Sequence, residues 1–490
     1  MSYSFLPFQF ARREHSTLVT TDSGNFCFLA PADFDFFVHK QLDKTSNTYQ
    51  TLKSRGFLFD GSLPKVVELE ATRYRTKKRY LDDFTSLHMF VLTRRCNQRC
   101  VYCHASSLDS EDHSVPDMEI ETARQCVDIA LSSPSEVIKI EFQGGEPTLN
   151  FPVLQEIVLY AEKLNETKGK YLEFVLCTNL HHLPKDYLVF LQEKRIDVST
   201  SLDGPEALHD SCRITTGGRG THQQFCSNLH RVVEALGPEH VSCLLTIHRG
   251  NLPHLDSVID EYQRLGLSSI FLRSLNPYGF ADEKRDRVAY QTEEFVAAYR
   301  NALERIIRLN LEGHYFPEIF ATILLTRILT PFSTGFVDLQ SPAGVGISGV
   351  IYDTSGRVFV SDEARMFYAS TGSDFFCLGN VKKDSWAKMF GGEKLREIIS
   401  QSCIEALPGC AWCVYQPFCG ADPVKNYKQY RDLVSYKPSD DFCLRNKAIF
   451  GTLFDYLERG DEPVLDVFWS WITGRPLAEV QGNDLVKVYR

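Results

Sequence analysis

Apolar and polar positions alternate along the middle of the chain with two different periods. Short runs rich in β-branched and aromatic residues, Ser86–Thr93, Val137–Phe142, Tyr171–Cys177, Ile196–Ser201, His240–Ile247 and Ser268–Arg273, read as strands. Between them, stretches with apolar residues at helical spacing read as helices near Phe151–Asn165, Lys185–Glu193, Gln223–Leu236 and Leu252–Leu265. Strands alternating with helices at this spacing build βαβ units and a parallel sheet. About six such units fit, which predicts an α/β fold with a partial (β/α)6 TIM-type barrel over residues 81–335.

Residues 1–80 form a separate small α+β module. Thr17-Leu-Val-Thr-Thr21 and Phe26-Cys-Phe-Leu29 flank the turn Asp22-Ser-Gly-Asn25, a hairpin signal. Pro31–Leu42 and Thr51–Phe57 then read as helices, a set compatible with a winged-helix-like unit that docks a peptide. A lid that merely packs on the barrel fits the same pattern. The basic run Thr72–Tyr80 reads as a solvated linker. After the barrel come a cysteine-rich extension over residues 336–450 and a C-terminal tail over 451–490.

Candidate chemistry falls where barrel enzymes place it, on loops after the C-terminal ends of strands. The first strand is followed by Cys96, Cys100 and Cys103, spaced Cys-x3-Cys-x2-Cys. A four-iron cubane needs four ligands, so a loop offering three thiolates leaves one iron open to a small molecule. A zinc site that borrows His104 is the alternative. Gly144-Gly145-Glu146-Pro147 follows the second strand, Thr178-Asn179 the third, and Ser201-Leu-Asp203-Gly the fourth, with Arg213 further along. Glycines let a backbone approach a ligand closely. Glu146 can accept from an ammonium group, Ser201 and Asp203 can bond ribose hydroxyls, and Arg213 can fork a carboxylate.

The cysteine spacing, with Tyr102 before the last cysteine, resembles the radical S-adenosylmethionine (SAM) superfamily. That resemblance implies a [4Fe–4S] cluster on Cys96, Cys100 and Cys103 whose open iron is chelated by SAM. Reductive cleavage of SAM then yields a 5′-deoxyadenosyl radical that abstracts hydrogen. It also implies SAM contacts from Tyr102, Gly144, Gly145, Glu146, Asn179, Ser201, Asp203 and Arg213.

A second cysteine group, Cys410-x2-Cys413-x5-Cys419 with Cys443 further on, resembles the SPASM extension of peptide-modifying radical SAM enzymes. The resemblance implies one auxiliary [4Fe–4S] cluster on these four. The ligands of a second auxiliary cluster are missing: Ser361 and Pro423 stand where cysteines are expected, and Ser341–Gly344 holds none. Cys377 and Cys403 are left over, as packing residues or parts of a divergent site. A zinc ribbon is the alternative for the group of four. Asp362 follows the lost ligand position and matches a catalytic Asp of sulfatase maturases; a solvated loop carboxylate is the other reading.

Phe5-Leu-Pro-Phe8, Phe142–Phe151 and Ser361-Asp-Glu-Ala-Arg-Met366 bring the whole pattern nearest to the maturase of His-Xaa-Ser peptide systems. The implied substrate is a ribosomally made precursor peptide. The implied partners are an electron donor such as flavodoxin or ferredoxin and a partner maturase. A sulfatase-maturase-like enzyme acting on a protein serine or cysteine is the second reading, and a non-catalytic zinc scaffold the third.

Composition narrows the setting. The chain has 490 residues, 43% of them hydrophobic, enough for two or three packed domains. Its 15 cysteines cluster as metal ligands in a long chain, which predicts a reducing, cytoplasmic compartment. Met1-Ser-Tyr-Ser-Phe-Leu-Pro7 lacks a basic start with an apolar run, so no signal peptide is expected. Phe316–Phe332 is broken by Glu318, Arg327 and Pro331, so no membrane span is expected. A net charge of −10 without a basic, aromatic-laced stripe argues against nucleic acid.

Overall fold

The computed structural model describes residues 3–481. It divides into two compact units, Asp83–Phe320 with Val345–Glu397 and Trp469–Arg490, and Met1–Asp82 with Ala321–Gly344 and Ile398–Phe468. Of the segment read as a C-terminal tail, residues 482–490 lie outside the described residues.

The larger unit is built on one nine-stranded sheet. Its strands are β1 (Leu87–Thr93), β2 (Val137–Gly144), β3 (Tyr171–Cys177), β4 (Asp197–Ser201), β5 (Val241–Ile247), β6 (Leu272–Ser274), β7 (Gly349–Tyr352), β8 (Arg357–Phe359) and β9 (Cys377–Asn380). Their spatial order is β6-β5-β4-β3-β2-β1-β7-β8-β9. The first six are parallel and neighbour one another in chain order, the α/β partial barrel that the alternation predicts. The segment read as part of the cysteine-rich extension supplies three further strands. β7 joins β1 in parallel, Gly349 opposite Leu87 through Tyr352 opposite Phe90, and β8 and β9 follow antiparallel. A four-residue strand carries too little period to assign to a sheet from sequence alone.

The strand pattern also states which side faces the helices. In β2, Ile138, Ile140 and Phe142 are fully buried, while Lys139, Glu141 and Gln143 on the other face are only half-buried. Lys139 meets Glu173 of β3 across that second face at 3.6 Å, and Gln143 donates to Glu141 at 3.0 Å. The sheet thus turns an apolar face to helices such as Phe151–Lys168 and a polar face to the barrel interior. The helix Ile120–Ala130, between β1 and β2, was not read from the sequence; it buries Ala123, Cys126, Val127 and Ala130.

In the other unit, Phe8–Arg12, Thr17–Thr21 and Phe26–Leu29 form an antiparallel sheet, so the expected hairpin gains a third strand. Helices Pro31–Val38 and Asn47–Ser54 cover an aromatic core of Tyr3, Phe34, Phe37, Tyr49 and Phe57. The run read as a solvated linker is largely helical: Leu63–Lys77 is a helix and Arg79–Leu81 a 3-10 turn. Apolar spacing there is poor, and no residue of that helix is buried. Among the described residues, no helix is long and apolar enough to cross a membrane.

His88 secures the seam between β1 and β7. It is fully buried, with Nδ1 2.9 Å from the Tyr352 hydroxyl and Nε2 3.1 Å from the Thr85 carbonyl. Burial pushes its pKa down to about 3. The folded form therefore keeps His88 neutral while the unfolded chain takes a proton below about pH 6.5, so stability is lost as pH falls through that value. Urea midpoints at about pH 7 and about pH 5.5 should differ, with His88 contributing roughly 1 kcal/mol of the loss. In His88→Gln that share should vanish; an unchanged pH slope would show that His88 is not held neutral.

Candidate active site

β1 ends at Thr93, and the chain then enters the cysteine loop through a short parallel pairing of Arg95–Cys96 with Leu108–Asp109. Segments after two other strands clamp this loop. Arg99 N donates to Ile214 O at 2.7 Å and Val101 N to Cys212 O at 2.9 Å, both on the loop after β4. Phe280 N, after β6, donates to Cys103 O at 2.9 Å. Gly279 has φ +55°, and a Cβ there would fall 2.3 Å from His104 O, so only glycine lets this backbone close on the loop.

Cys96, Cys100 and Cys103 all reach one electrostatic neighbourhood. Burial raises the Cys96 thiol pKa, and Cys100 and Cys103 raise it further. Burial also pushes Cys100 up to about 12, against the pull of Arg213. The Asn179 amide lies 3.7 Å from Cys96 Sγ and the Arg213 guanidinium 3.8 Å from Cys100 Sγ. Thiols held protonated in this way become stable thiolates once a cation binds, releasing their protons.

Beneath the loop lies a buried ionic network. Asp203 is 0% exposed and accepts from the Tyr102 hydroxyl and from Arg213 Nε, the latter at 3.0 Å. The Arg213 guanidinium also sits 5.4 Å from the Tyr102 ring centroid, and Tyr102 stacks on His248 at 5.4 Å. Burial alone would raise the Asp203 pKa, but Arg213, His209 and His248 outweigh it and hold it below the ordinary carboxylate value. The Asp203 carboxylate has no exposed surface and is satisfied within the protein, so it positions Tyr102 and Arg213.

The glycine pair serves the same end. Gly145 N donates to Thr93 O at 2.9 Å and Glu146 N to Arg95 O at 2.8 Å. A Cβ on Gly144 (φ +139°) would fall 2.1 Å from Thr93 O, and one on Gly145 2.2 Å from Arg95 O. These glycines admit the backbone of the cysteine-loop entrance. Glu146 is 1% exposed; Oε1 accepts from Thr148 N, Thr148 Oγ1 and Thr178 Oγ1 at 3.2, 2.7 and 2.8 Å, and Oε2 from Asn179 N at 2.8 Å. Burial raises its pKa, opposed by these donors. Glu146 thus ties the loop after β2 to the loop after β3. Asn179, so held, turns Nδ2 to Asn97 Oδ1 at 2.8 Å. Ser201, half-buried, closes β4 opposite Leu244 of β5.

Asp362 starts the helix Asp362–Thr371, whose N-cap is Ser361: its hydroxyl accepts from Ala364 N at 3.2 Å. The serine at the expected ligand position is thus a capping residue. Asp362 takes a fork from Arg365, with Nε and Nη2 both at 2.7 Å, and lies 3.8 Å from His104 Nε2. Burial lowers the His104 pKa, partly offset by Asp362. Cys177, at the end of β3, feels the charges of Glu141, Glu146 and Asp362. Glu141, Cys177 and Arg273 were not singled out from the sequence. The signal was there: polar positions at period two within strands that bury their other face.

In the smaller unit, Cys410, Cys413 and Cys419 occupy successive tight turns, with Cys413 N bonded to Cys410 O at 2.9 Å and Cys419 N to Tyr415 O at 3.1 Å. Cys443 sits in the first turn of helix Asp441–Arg459. Burial pushes Cys410 up to about 11 and Cys419 up to about 12, and each feels the other three or two of the set. Ile404, Leu407 and Ala421 pack an apolar shell against Cys410 and Cys419. Among the described residues, three His, Cys or acidic ligand atoms lie within 4.8 Å of one another only at His222, Cys226 and Glu261. There Arg264 forks Glu261 at 2.6 and 2.7 Å, an ion pair that accounts for the group. Neither cysteine set is gathered as tightly as a single tetrahedral zinc, with Zn–S of about 2.3 Å, requires.

Residues 90–262 match the model of the radical SAM superfamily. A cysteine-type anaerobic sulfatase-maturating enzyme of Clostridium novyi is 20% identical over 348 residues, 68% of this chain and 87% of that protein. A further curated relative, an uncharacterised protein of Methanocaldococcus jannaschii, is 27% identical over 186 residues, and the chain spans 61% of its length. Native anSMEcpe with bound AdoMet superposes with a TM-score of 0.62 at 20% identity, over 76% of this chain and 98% of that one. SuiB of Streptococcus suis bound to its precursor peptide SuiA gives 0.54 at 11% identity, over 90% and 99%. The match to the radical SAM superfamily thus covers residues 90–262, and the α/β fold is that of anSMEcpe and SuiB.

The Asp203–Arg213 pair makes a sharp test. Removing one member leaves a buried charge, a loss of about 3–5 kcal/mol. Arg213→Gln should therefore lower the thermal midpoint far more than Asp203→Asn combined with Arg213→Gln. A double-variant loss equal to the sum of the two single losses would show that the pair is not coupled.

Proposed function

We propose that the chain is a radical SAM enzyme that cleaves S-adenosylmethionine reductively and abstracts hydrogen from a ribosomally made precursor peptide, of the His-Xaa-Ser repeat type. The observation that carries the enzyme class is the three-thiol loop, clamped at the C-terminal rim of a partial barrel above a buried Tyr102–Asp203–Arg213 network. Cys96, Cys100 and Cys103 would hold one [4Fe–4S] cluster, and Cys410, Cys413, Cys419 and Cys443 an auxiliary one. The donor sets fit: all-thiol, partly or fully buried, mutually coupled, and spread wider than a single ion needs. When bound, the first cluster supplies the electron that cleaves SAM.

The chain's own residues do the remaining work. Tyr102, Asp203 and Arg213 fix the cysteine loop, and Glu146 fixes Asn179 beside Cys96. Glu146, Asn179, Ser201, Asp203 and Arg213 are the polar groups that would face SAM. The polar interior face of β2 and β3, with Glu141, Gln143 and Cys177, offers hydrogen-bonding partners to an extended peptide. Asp362, beside His104 and gripped by Arg365, is placed to take a proton from a substrate carbon. The edge strand Phe8–Arg12 of the small sheet suits β-augmentation by a leader segment. SuiB, whose fold this chain shares over nearly its whole length, was solved bound to its precursor peptide SuiA, and this supports a peptide substrate. A flavodoxin- or ferredoxin-type donor would supply electrons.

Action on a protein serine or cysteine is the second reading, favoured by the 87% coverage of the Clostridium novyi maturase. Ser361, spent on a helix cap, counts against it.

Anaerobic reconstitution should give roughly eight irons per chain. Changing Cys96, Cys100 and Cys103 together to Ala should halve the iron and abolish SAM cleavage. Cys413→Ala should retain cleavage without peptide yet stop product formation. Stoichiometric zinc in place of iron would reject the enzyme reading. Turnover of a sulfatase peptide, but not of a His-Xaa-Ser peptide, would favour the second one.

A further inference from the structure

Two cations of the smaller unit converge on the residue in front of Cys419. Arg327, on the helix Ile319–Leu329, is 8% exposed and donates from Nε to Phe418 O at 2.7 Å. Lys77, at the end of helix Leu63–Lys77, holds its ammonium 4.6 Å from the Phe418 ring centroid. Both line one small cavity with Cys419 and Gln416, whose Oε1 is buried without a hydrogen bond. Neighbouring Lys78 pairs with Glu405 at 2.5 Å, but neither Arg327 nor Lys77 has a carboxylate within ion-pair distance among the described residues. Lys437, 9% exposed, and Lys447 act electrostatically on Cys410 and Cys443 from their side of the group. Lys437 is partly offset by Asp440 at 3.4 Å and Lys77 feels the charge of Glu405, which leaves Arg327 as the buried cation on the Cys419 side without a carboxylate in ion-pair distance.

A buried cation without counter-charge, as Arg327 is, is costly, and a chain keeps it where an anion offsets the cost. Four thiolates around a [4Fe–4S] core carry a net charge of about −2 when oxidised and −3 when reduced, so a fixed positive charge favours the reduced form. Resting on the reading that Cys410, Cys413, Cys419 and Cys443 hold such a cluster, we propose that Arg327 and Lys77 set its reduction potential, raising it through the Phe418–Cys419 peptide unit. Arg327 is the principal determinant because its guanidinium is fixed by the Phe418 carbonyl.

The test uses the full chain with Cys96, Cys100 and Cys103 changed to Ala, reconstituted anaerobically, so that only the C-terminal cluster reports. Iron content is measured first, then the midpoint potential by redox titration followed by electron paramagnetic resonance. Arg327→Gln, which can still donate to the carbonyl, should shift the reduction equilibrium at least tenfold toward the oxidised form, about 59 mV for one electron. Arg327→Lys should restore most of the shift, which a purely structural role would not, and Lys77→Met should move the potential the same way. About four irons with unchanged potentials in Arg327→Gln and Lys77→Met would overturn the inference and leave the cluster standing. No iron in the triple-Ala parent would overturn the cluster reading itself. If Arg327→Gln loses iron, Lys77→Met decides: a lowered midpoint supports the inference and an unchanged one overturns it.

Discussion

A carboxylate buried without surface, Asp203, is the constraint around which the candidate active site is built. Such a group survives in the interior only if paired and hydrogen-bonded, and Arg213 and the Tyr102 hydroxyl meet that demand. Tyr102 belongs to the cysteine loop and Arg213 to the segment after β4, whose carbonyls at Cys212 and Ile214 also hold the loop. The cost of burying one charge is thereby converted into the fixed position of three thiols.

The same economy recurs along the rim. Glu146 joins the loops after β2 and β3, and Gly144 and Gly145 allow the β2 loop to lie directly on the backbone leaving β1. Residues whose chemistry suggests ligand contact are used to hold one another, so that the groups with free surface are few and their positions narrow. Preorganisation of this kind is what a reactive intermediate requires: side chains that cannot relax cannot divert it.

In the smaller unit, the four-cysteine group has a different environment. Tight turns and an apolar shell half-bury its thiols, and Arg327 beside it has no carboxylate within ion-pair distance among the described residues. The contrast with the network below Cys100, where Arg213 is matched by Asp203, is one of charge balance. One group sits in a compensated site and the other in a positive one, and their redox properties should differ accordingly.

The sequence by itself determined the six parallel strands, because period-two and period-3.6 patterns alternate cleanly from Leu87 to Ser274, and it determined the two cysteine groups, because ligand spacing is local. It also displayed the polar interior face, in Lys139, Glu141 and Gln143, as alternation within buried strands. Only the tertiary structure decided that Gly349–Tyr352 extends the sheet beside β1, since parallel pairing joins residues far apart in the chain that share no local signal. It alone separated the roles of the rim residues. Whether Asp203 or Glu146 meets a ligand or another part of the fold depends on which donors lie within about 3 Å, and those donors come from other strands. The basic run before β1 was opaque for the same reason: Lys77 and Lys78 are adjacent in sequence, yet one meets an aromatic ring and the other a glutamate, both contributed more than three hundred residues later.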